Sequence, residues 1–248
     1  MVKTLSIARR ELMGLFYSPI AYVVLVVYLL FVGVLFSLLV FAPGAVADPG
    51  PMFEWNHLAL MFVVPFITMA LFSEEYRSGR IETLRTSPVS DFSIVMGKFL
   101  GALTFYCVII GSSLVYVLIL SIFGRPDFLP VLTSYFGLVL MGMLMVSIGL
   151  FFSACTQHQV LAAISSCATL VTFGILLQAI GGLLGSVISQ PPAWLNTAQR
   201  VMTYMSFEPQ MQHFSMGLVD TSHVAYFLTG TFFFLMLTYL VLESRKWR

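Results

Sequence analysis

The sequence predicts an all-α integral membrane protein with six transmembrane helices. Of its 248 residues, 59% are hydrophobic and 9% are charged, whereas a soluble domain carries about 25% charged residues. No Asp, Glu, Lys or Arg occurs from Phe99 through Gly124 or from Phe128 through Gln199. Because a membrane-spanning helix needs about 20 predominantly apolar residues, uncharged stretches of this length indicate that lipid is the solvent of the fold.

An N-terminal amphipathic interfacial helix is predicted over residues 1–18, before the first span. Apolar side chains recur there at the 3.6-residue helical period, and polar side chains such as Lys3 and Arg10 fall on the opposite face. A basic face backed by apolar residues suits a membrane surface, and the alternative is a short unanchored leader. The apolar face consists of Leu5, Ala8, Leu12, Leu15 and Phe16.

Apolar runs separated by turn-forming residues define the spans of a single transmembrane domain, residues 1–248. Pro65 predicts a kink in the second span, and the fifth span is long enough to tilt or to break near Gly181 and Gly182. The predicted spans are residues 20–41, 52–72, 99–123, 129–154, 160–188 and 224–242.

The distribution of Lys and Arg predicts the orientation of the bundle. One side carries only Arg125 and Arg200, and the other side carries ten basic residues. Since Lys and Arg accumulate in cytoplasmic loops, both termini and residues 73–98 are expected in the cytoplasm, with residues 43–51 and 186–223 outside. The ten basic residues are Lys3, Arg9, Arg10, Arg77, Arg80, Arg85, Lys98, Arg245, Lys246 and Arg248.

The charge-dense segment 73–98 is the most informative part of the sequence. Gly79 is expected to end the second span, because glycine accepts the left-handed conformation that terminates helices. A helix of one or two turns then follows over residues 80–86, and Ser90 or Asp91 caps the helix that enters the third span. A short helix in this place suits docking into a groove on a soluble partner. The alternative is a solvated loop whose charges only set the topology.

This loop resembles that of ABC-2-type transporter permeases. The similarity lies in paired acids followed by Arg77-Ser78-Gly79, Thr86-Ser87-Pro88 and Gly97-Lys98. More narrowly, the chain is similar to the permeases associated with gliding motility and with nitrous-oxide-reductase maturation, through Arg10-Glu11-Leu12 and through the residues that precede the last span. Those residues are His213-Phe214 and Gly217-Leu218-Val219-Asp220.

The resemblance implies a six-span permease that pairs with a second permease, as a homodimer or a heterodimer. Each permease is then expected to engage an ABC ATPase subunit through a cytoplasmic coupling helix between the second and third spans, with Mg-ATP bound by the ATPase. It also implies a location in a bacterial-type inner membrane. The residues that it implies for ATPase coupling are Glu74, Glu75, Arg77, Gly79, Ile81, Glu82, Leu84, Thr86, Pro88 and Lys98.

No catalytic group, cofactor site or metal site is predicted within this chain. Gly97-Lys98 is not a phosphate-binding loop, because that loop needs Gly and Ser or Thr where Phe92 and Phe99 stand. The spans are expected to hold no buried acid or histidine, which intramembrane enzymes and ion-coupled carriers use. ATP hydrolysis is therefore expected from a separate chain. Membrane lipid is the expected surrounding, and a net charge of +1 gives no indication of nucleic acid.

The external segment 186–223 is the second notable region. Its residues 195–205 predict a helix with one apolar face and one polar face, which either caps the exit of a pathway or rests on lipid without gating. The candidate gate residues are Leu195, Val201, Met202 and Met205. For His213 and His223, which flank Asp220, structural hydrogen bonding is favoured over metal binding because the spacing is poor for a metal site.

Two functions remain open from the sequence. The first is the permease of an ATP-driven exporter for an amphiphilic or lipid-linked substrate, since spans with few ionisable residues offer no partner to a bare ion. The alternative is a non-transporting anchor or force-transmitting scaffold for an ABC ATPase, as in a gliding-type machinery. Both functions would use the same docking loop.

Overall fold

A computed structural model of the chain describes residues 2–40, 50–79, 90–123, 127–187 and 193–244. Its regular structure is helical, with no strand in these residues, and six segments are long and apolar enough to cross a membrane. The predicted all-α fold with six spans is confirmed. The candidate spans are Pro19–Val40, Gly50–Arg77, Asp91–Phe123, Phe128–Cys155, Gln159–Leu183 and Thr221–Ser244.

We number the α-helices in these ranges α1 to α12. Before and within the first three spans lie α1 (Val2–Tyr17), α2 (Pro19–Leu35), α3 (Gly50–Thr68), α4 (Ala70–Arg77), α5 (Asp91–Ser112) and α6 (Leu114–Phe123). After them come α7 (Phe128–Cys155), α8 (Gln159–Val171), α9 (Leu177–Val187), α10 (Ala193–Met205), α11 (Phe207–Ser215) and α12 (Thr221–Ser244). Two π-helical turns, Phe36–Val40 and Thr172–Leu176, lie in the first and fifth spans.

The fourth span, α7, lies at the centre of the bundle, where it contacts α3, α4, α5, α8, α11 and α12. Glycines make this close packing possible. A methyl group on Gly142 would overlap the ring of Tyr106, and one on Gly149 would overlap the side chain of Thr68. Small residues at such contacts let helix backbones approach, which is how helices associate in lipid.

The second span has an interruption in its regular helix at Met69, one turn after Pro65, at which the sequence predicts a kink. Met69 itself keeps helical φ and ψ angles of −55° and −35°, and we call this interruption the break. A side chain of the fourth span provides hydrogen bonds at this break. The hydroxyl of Ser153 accepts from the backbone N–H groups of Phe72 and Ser73 at 3.0 and 3.3 Å, and it donates to the carbonyl of Met69 at 3.0 Å. The break is therefore held against α7 rather than left open to lipid.

The fifth span is irregular at the π-helical turn Thr172–Leu176, which includes Gly174. A methyl group on Gly174 would overlap the side chain of Met61, so the irregular turn lies where the second span approaches closely. Of the tilt or break predicted near Gly181 and Gly182, the break is wrong, because α9 continues without interruption to Val187.

The N-terminal helix α1 is present, and it packs along α5. A methyl group on Gly97 would lie 2.7 Å from the side chain of Ile7, and one on Gly101 would lie 2.9 Å from the carbonyl oxygen of Ala8. These two glycines, four residues apart, thus allow α1 to pack closely against α5. Leu5, which the sequence places on the apolar face, is 70% exposed, whereas Ile7 is buried.

Candidate functional site

A buried lysine lies where α1, α4 and α5 meet at one end of the bundle. Lys98 belongs to α5, which begins at Asp91 and is capped by the hydroxyl of Ser90, an acceptor from the Ser93 N–H at 3.3 Å. Because the helix starts this early, Lys98 is two turns inside it, and its side chain is fully buried. The loop between the second and third spans is correspondingly shorter than the predicted segment 73–98, since α4 also continues to Arg77.

The ammonium group of Lys98 has three oxygen partners. Its Nζ lies 2.5 Å from the carbonyl oxygen of Leu71, 2.9 Å from Glu75 Oε1 and 3.2 Å from Glu11 Oε1. The ring of Phe72 adds a cation–π contact, with 5.1 Å from Nζ to the ring centroid. A lysine has three N–H donors, so a buried charge that would otherwise be strongly unfavourable is matched by its surroundings.

Arg10 completes the arrangement from the surface. Its Nη2 lies 2.8 Å from Glu11 Oε1 and 3.2 Å from Glu75 Oε1, and its side chain is 56% exposed. The hydrogen bond to Glu11 raises the pKa of Arg10 above its ordinary value. We call Arg10, Glu11, Glu75 and Lys98 the charged cluster, which contains two cations and two anions.

The charged cluster joins three separate elements through one pair of carboxylates. Glu11 comes from α1, Glu75 from α4 and Lys98 from α5, and each carboxylate binds both cations. The second oxygen of Glu75 is buried with no hydrogen-bond partner in the described part of the chain. Buried polar atoms that lack a partner are uncommon, and a partly satisfied ionic network of this kind is a candidate functional site.

The other predicted coupling residues lie beside the charged cluster or outside the described residues. Glu74, Arg77 and Gly79 are exposed at the end of α4. Gly79 has a φ of 71°, as expected for the glycine that ends this helix. The predicted coupling helix and five of its residues lie outside the described ranges; they are Ile81, Glu82, Leu84, Thr86 and Pro88.

The expectation that no acid or histidine is buried in the spans is wrong. Glu75 has a side chain only 13% exposed within the second span, and His57 of α3 is 2% exposed. The contact between Glu11 and Lys98 is not among those predicted from the sequence. A signal for that contact exists in the sequence, because Gly97 and Gly101 have the spacing that lets another helix approach.

A second polar cluster, made of neutral side chains, lies deeper in the bundle. Asn56 Nδ2 donates to the hydroxyl of Tyr28 at 3.2 Å, and the hydroxyls of Ser113 and Tyr135 are 2.9 Å apart. Tyr28, Asn56 and Ser113 are fully buried. These residues come from the first four spans, so hydrogen bonds between neutral groups also join the spans in this region.

The helices α10 and α11, which belong to the segment predicted to be external, pack back onto the bundle. The predicted gate residues do not share one environment, since Leu195 is buried, Met202 is half-buried, and Val201 and Met205 are 51% and 39% exposed. The polar side of α10 instead lines a cavity together with α11 and the start of α12. There the rings of His213 and His223 stack, with centroids 4.3 Å apart.

The chain matches a known protein family over most of its length. The family model is described as ABC-2 family transporter protein, and it matches residues 57–247. No curated protein matches the chain. The matched interval includes Glu75 and Lys98 of the charged cluster, and it begins after α1, which contributes Arg10 and Glu11.

Proposed function

The chain belongs to the ABC-2 family of transporter proteins, and we propose that it is the membrane-spanning permease subunit of an ATP-driven exporter. In this proposal a separate ABC ATPase chain binds Mg-ATP and docks on the loop between the second and third spans, on the cytoplasmic side. The predicted ATPase contacts on this loop include Leu84 and the exposed Glu74 and Arg77. A second permease completes the pathway, and the exposed apolar sides of the first, fifth and sixth spans are the surfaces open to it and to lipid.

The observation that carries the proposal is the position of the charged cluster. Glu75 lies at the end of α4, and Lys98 lies near the start of α5, so the cluster joins the two helices on either side of the docking loop. Glu11 adds α1 to the same unit. A displacement of the loop by the ATPase therefore moves α1, α4 and α5 together instead of separating them.

The movement has a route into the centre of the bundle. Ser153 of α7 is hydrogen-bonded to the carbonyl of Met69 at the break in the second span and to the N–H groups of Phe72 and Ser73 in α4. A rigid α4 that tilts about this break acts on α7 directly. Since α7 contacts most other spans, a change at the docking loop reaches the whole bundle through packed elements.

An amphiphilic or lipid-linked molecule is the substrate class that we propose. The charges of the charged cluster neutralise one another, and the polar cluster around Tyr28 and Asn56 is neutral. A bare ion moving through the spans would need charged or closely spaced polar partners. An amphiphile can instead use neutral hydrogen-bonding groups together with apolar surfaces.

The experiment that tests the proposal is reconstitution with the partner ATPase. We expect Leu84→Asp to abolish ATPase co-purification and ATP-driven flux of a fluorescent lipid analogue, because it places an unpaired charge where an apolar contact is predicted. The prediction rests on the sequence, since Leu84 lies outside the described residues. Leu84→Met is the matched control and should behave like the wild type. Full association and full flux in Leu84→Asp would refute docking at this loop.

A further inference from the structure

A polar cavity of about 590 Å³ lies between α10, α11 and the start of α12, at the end of the bundle away from the charged cluster. Its size is within the range of small-molecule binding sites. Most of its hydrogen-bonding groups come from one side of α10 and from the two stacked histidines. They include Asn196, Gln199, Arg200, Gln210, His213 and His223.

The charge of this cavity favours an anion. Arg200 forms no ion pair with any residue that the structure describes, and no carboxylate is among the lining residues. Asp220 interacts electrostatically with both histidines, but it lies outside the lining, and its Oδ1 accepts from the Ser222 N–H at 3.1 Å. An arginine without a carboxylate partner offers a fork of N–H donors that matches the oxygens of a phosphate or a carboxylate.

The histidines have fixed positions in the wall of the cavity. The rings of His213 and His223 are inclined by only 26° to each other, and His223 Nδ1 is hydrogen-bonded to Gln210 Oε1. Buried Phe214 packs edge-on beside His223 and anchors α11 on the bundle. The His223 ring and the Gln210 amide are therefore held in place before any ligand arrives.

The orientation of α10 indicates that the ligand also has an apolar part. On this helix the apolar Trp194 and Val201 are 70% and 51% exposed beside the polar residues that line the cavity, whereas Leu195 is buried. In a membrane protein an exposed apolar side of a helix faces lipid, and tryptophan is enriched at the lipid–water boundary. A polar cavity that adjoins an apolar surface suits a molecule with a charged head and an apolar tail.

We propose that this cavity binds the phosphate-bearing headgroup of an amphiphile, with Arg200 as the anion-binding residue and the amides and imidazoles around the rest of the headgroup. The tail lies along the apolar side of α10. The inference does not depend on ATPase docking, because every residue that it uses belongs to α10, α11 or α12. It can therefore be tested on the full-length chain without the ATPase.

The test compares lipid and free phosphate ester as ligands. Full-length protein is placed in phosphatidylcholine nanodiscs with a small fraction of phosphatidylglycerol, and retained lipid is measured by native mass spectrometry. In parallel, glycerol 3-phosphate is titrated. We expect retention of phosphatidylglycerol over phosphatidylcholine, reduced about tenfold in Arg200→Gln, since a charge-assisted hydrogen bond contributes about 1.5–3 kcal/mol and 1.4 kcal/mol is tenfold. The retention of phosphatidylglycerol by Arg200→Lys should lie between that of Arg200→Gln and that of the wild type.

The control is Arg9→Gln, which removes the same charge from the exposed side of α1 at the opposite end of the bundle. Binding of glycerol 3-phosphate that depends on Arg200, without lipid selectivity, would support the anion site but assign it to a free solute. Equal binding of both probes by the wild type, Arg200→Gln and Arg9→Gln would overturn the proposal. If Arg200→Gln does not fold, hydrogen exchange of α10 in the wild type is measured with and without glycerol 3-phosphate. A bound anion must slow this exchange, and unchanged exchange would overturn the proposal.

Discussion

The ammonium group of Lys98 is surrounded by partners from two other helices, Leu71 and Glu75 of α4 and Glu11 of α1. Its side chain is fully buried, and the side chain of Glu75 is only 13% exposed. A buried ion pair contributes little compared with apolar residues of the same size, but removal of one partner leaves an uncompensated charge. The packing of α1, α4 and α5 therefore depends most on Lys98, whose side chain is the fully buried member of the charged cluster.

Replacement of Lys98 by methionine tests this dependence. Lys98→Met should lower the free energy of unfolding by about 3–5 kcal/mol, because Glu11 and Glu75 would share only the exposed Arg10. Denaturant titration in detergent measures the change, with Arg9→Gln as the control for loss of a positive charge. Adding Glu75→Gln to Lys98→Met should restore part of the loss. Equal stability of Lys98→Met and Arg9→Gln would show that the charged cluster has no structural role.

Ser153 provides a second test at the level of single residues. Ser153→Ala leaves the N–H groups of Phe72 and Ser73 without their acceptor at the break in the second span, which should cost about 1–3 kcal/mol. Ser121→Ala is the matched control, because the exposed hydroxyl of Ser121 donates only to the carbonyl of Leu118 in its own helix. The two variants are compared by thermal unfolding, and equal midpoints would contradict the account of the break.

At the scale of helices, the close packing of α1 on α5 depends on glycine. A side chain on Gly101 would meet the backbone of Ala8, which cannot move unless the whole of α1 moves. Gly101→Leu should therefore detach α1, and hydrogen exchange of residues 2–17 should become faster. Gly111 lies on the same helix with no atom near the position of a side chain, so Gly111→Leu should leave that exchange unchanged. If hydrogen exchange of α1 in Gly101→Leu were as slow as in the wild type, close packing of α1 at Gly101 would be excluded.

The elements show how far sequence reasoning extends. Hydropathy predicts the six spans, and local backbone chemistry predicts the end of α4 at Gly79 and the cap of α5 at Ser90. Periodicity gives the two faces of α10, but not which face turns inward, because that depends on packing with α11 and α12. The contact between Glu11 and Lys98 could not be predicted for the same reason. It depends on the packing of α1 against α5, and these two helices are far apart in the sequence.

At the scale of the whole molecule, the central prediction is the orientation in the membrane. The ten-to-two division of basic residues predicts that the loop at Ser78 is cytoplasmic and that the turn at Met216 is outside. In a variant without Cys107, Cys155 and Cys167, an impermeant thiol reagent should label Met216→Cys in intact cells and Ser78→Cys only after permeabilisation. Both positions are exposed. Labelling of Ser78→Cys in intact cells would reverse the proposed topology.

The central claim also concerns the whole molecule: the charged cluster transmits movement between the ATPase and the spans. Glu11→Gln isolates this role, because Lys98 keeps Glu75 and the carbonyl of Leu71 as partners, so the bundle should stay folded. What the variant weakens is the ionic link from α1 to α4 and α5. Arg9→Gln changes the neighbouring charge on the same helix without touching the charged cluster.

The most direct measurement is substrate-stimulated ATP hydrolysis by the complex in nanodiscs, with co-purification of the ATPase measured on the same samples. We predict that Glu11→Gln retains the ATPase while stimulated hydrolysis falls several-fold, about the change that corresponds to loss of an ionic contact of roughly 1 kcal/mol. Arg9→Gln should match the wild type in both measurements. Stimulated hydrolysis in Glu11→Gln equal to that of Arg9→Gln and the wild type would contradict the coupling role of the charged cluster.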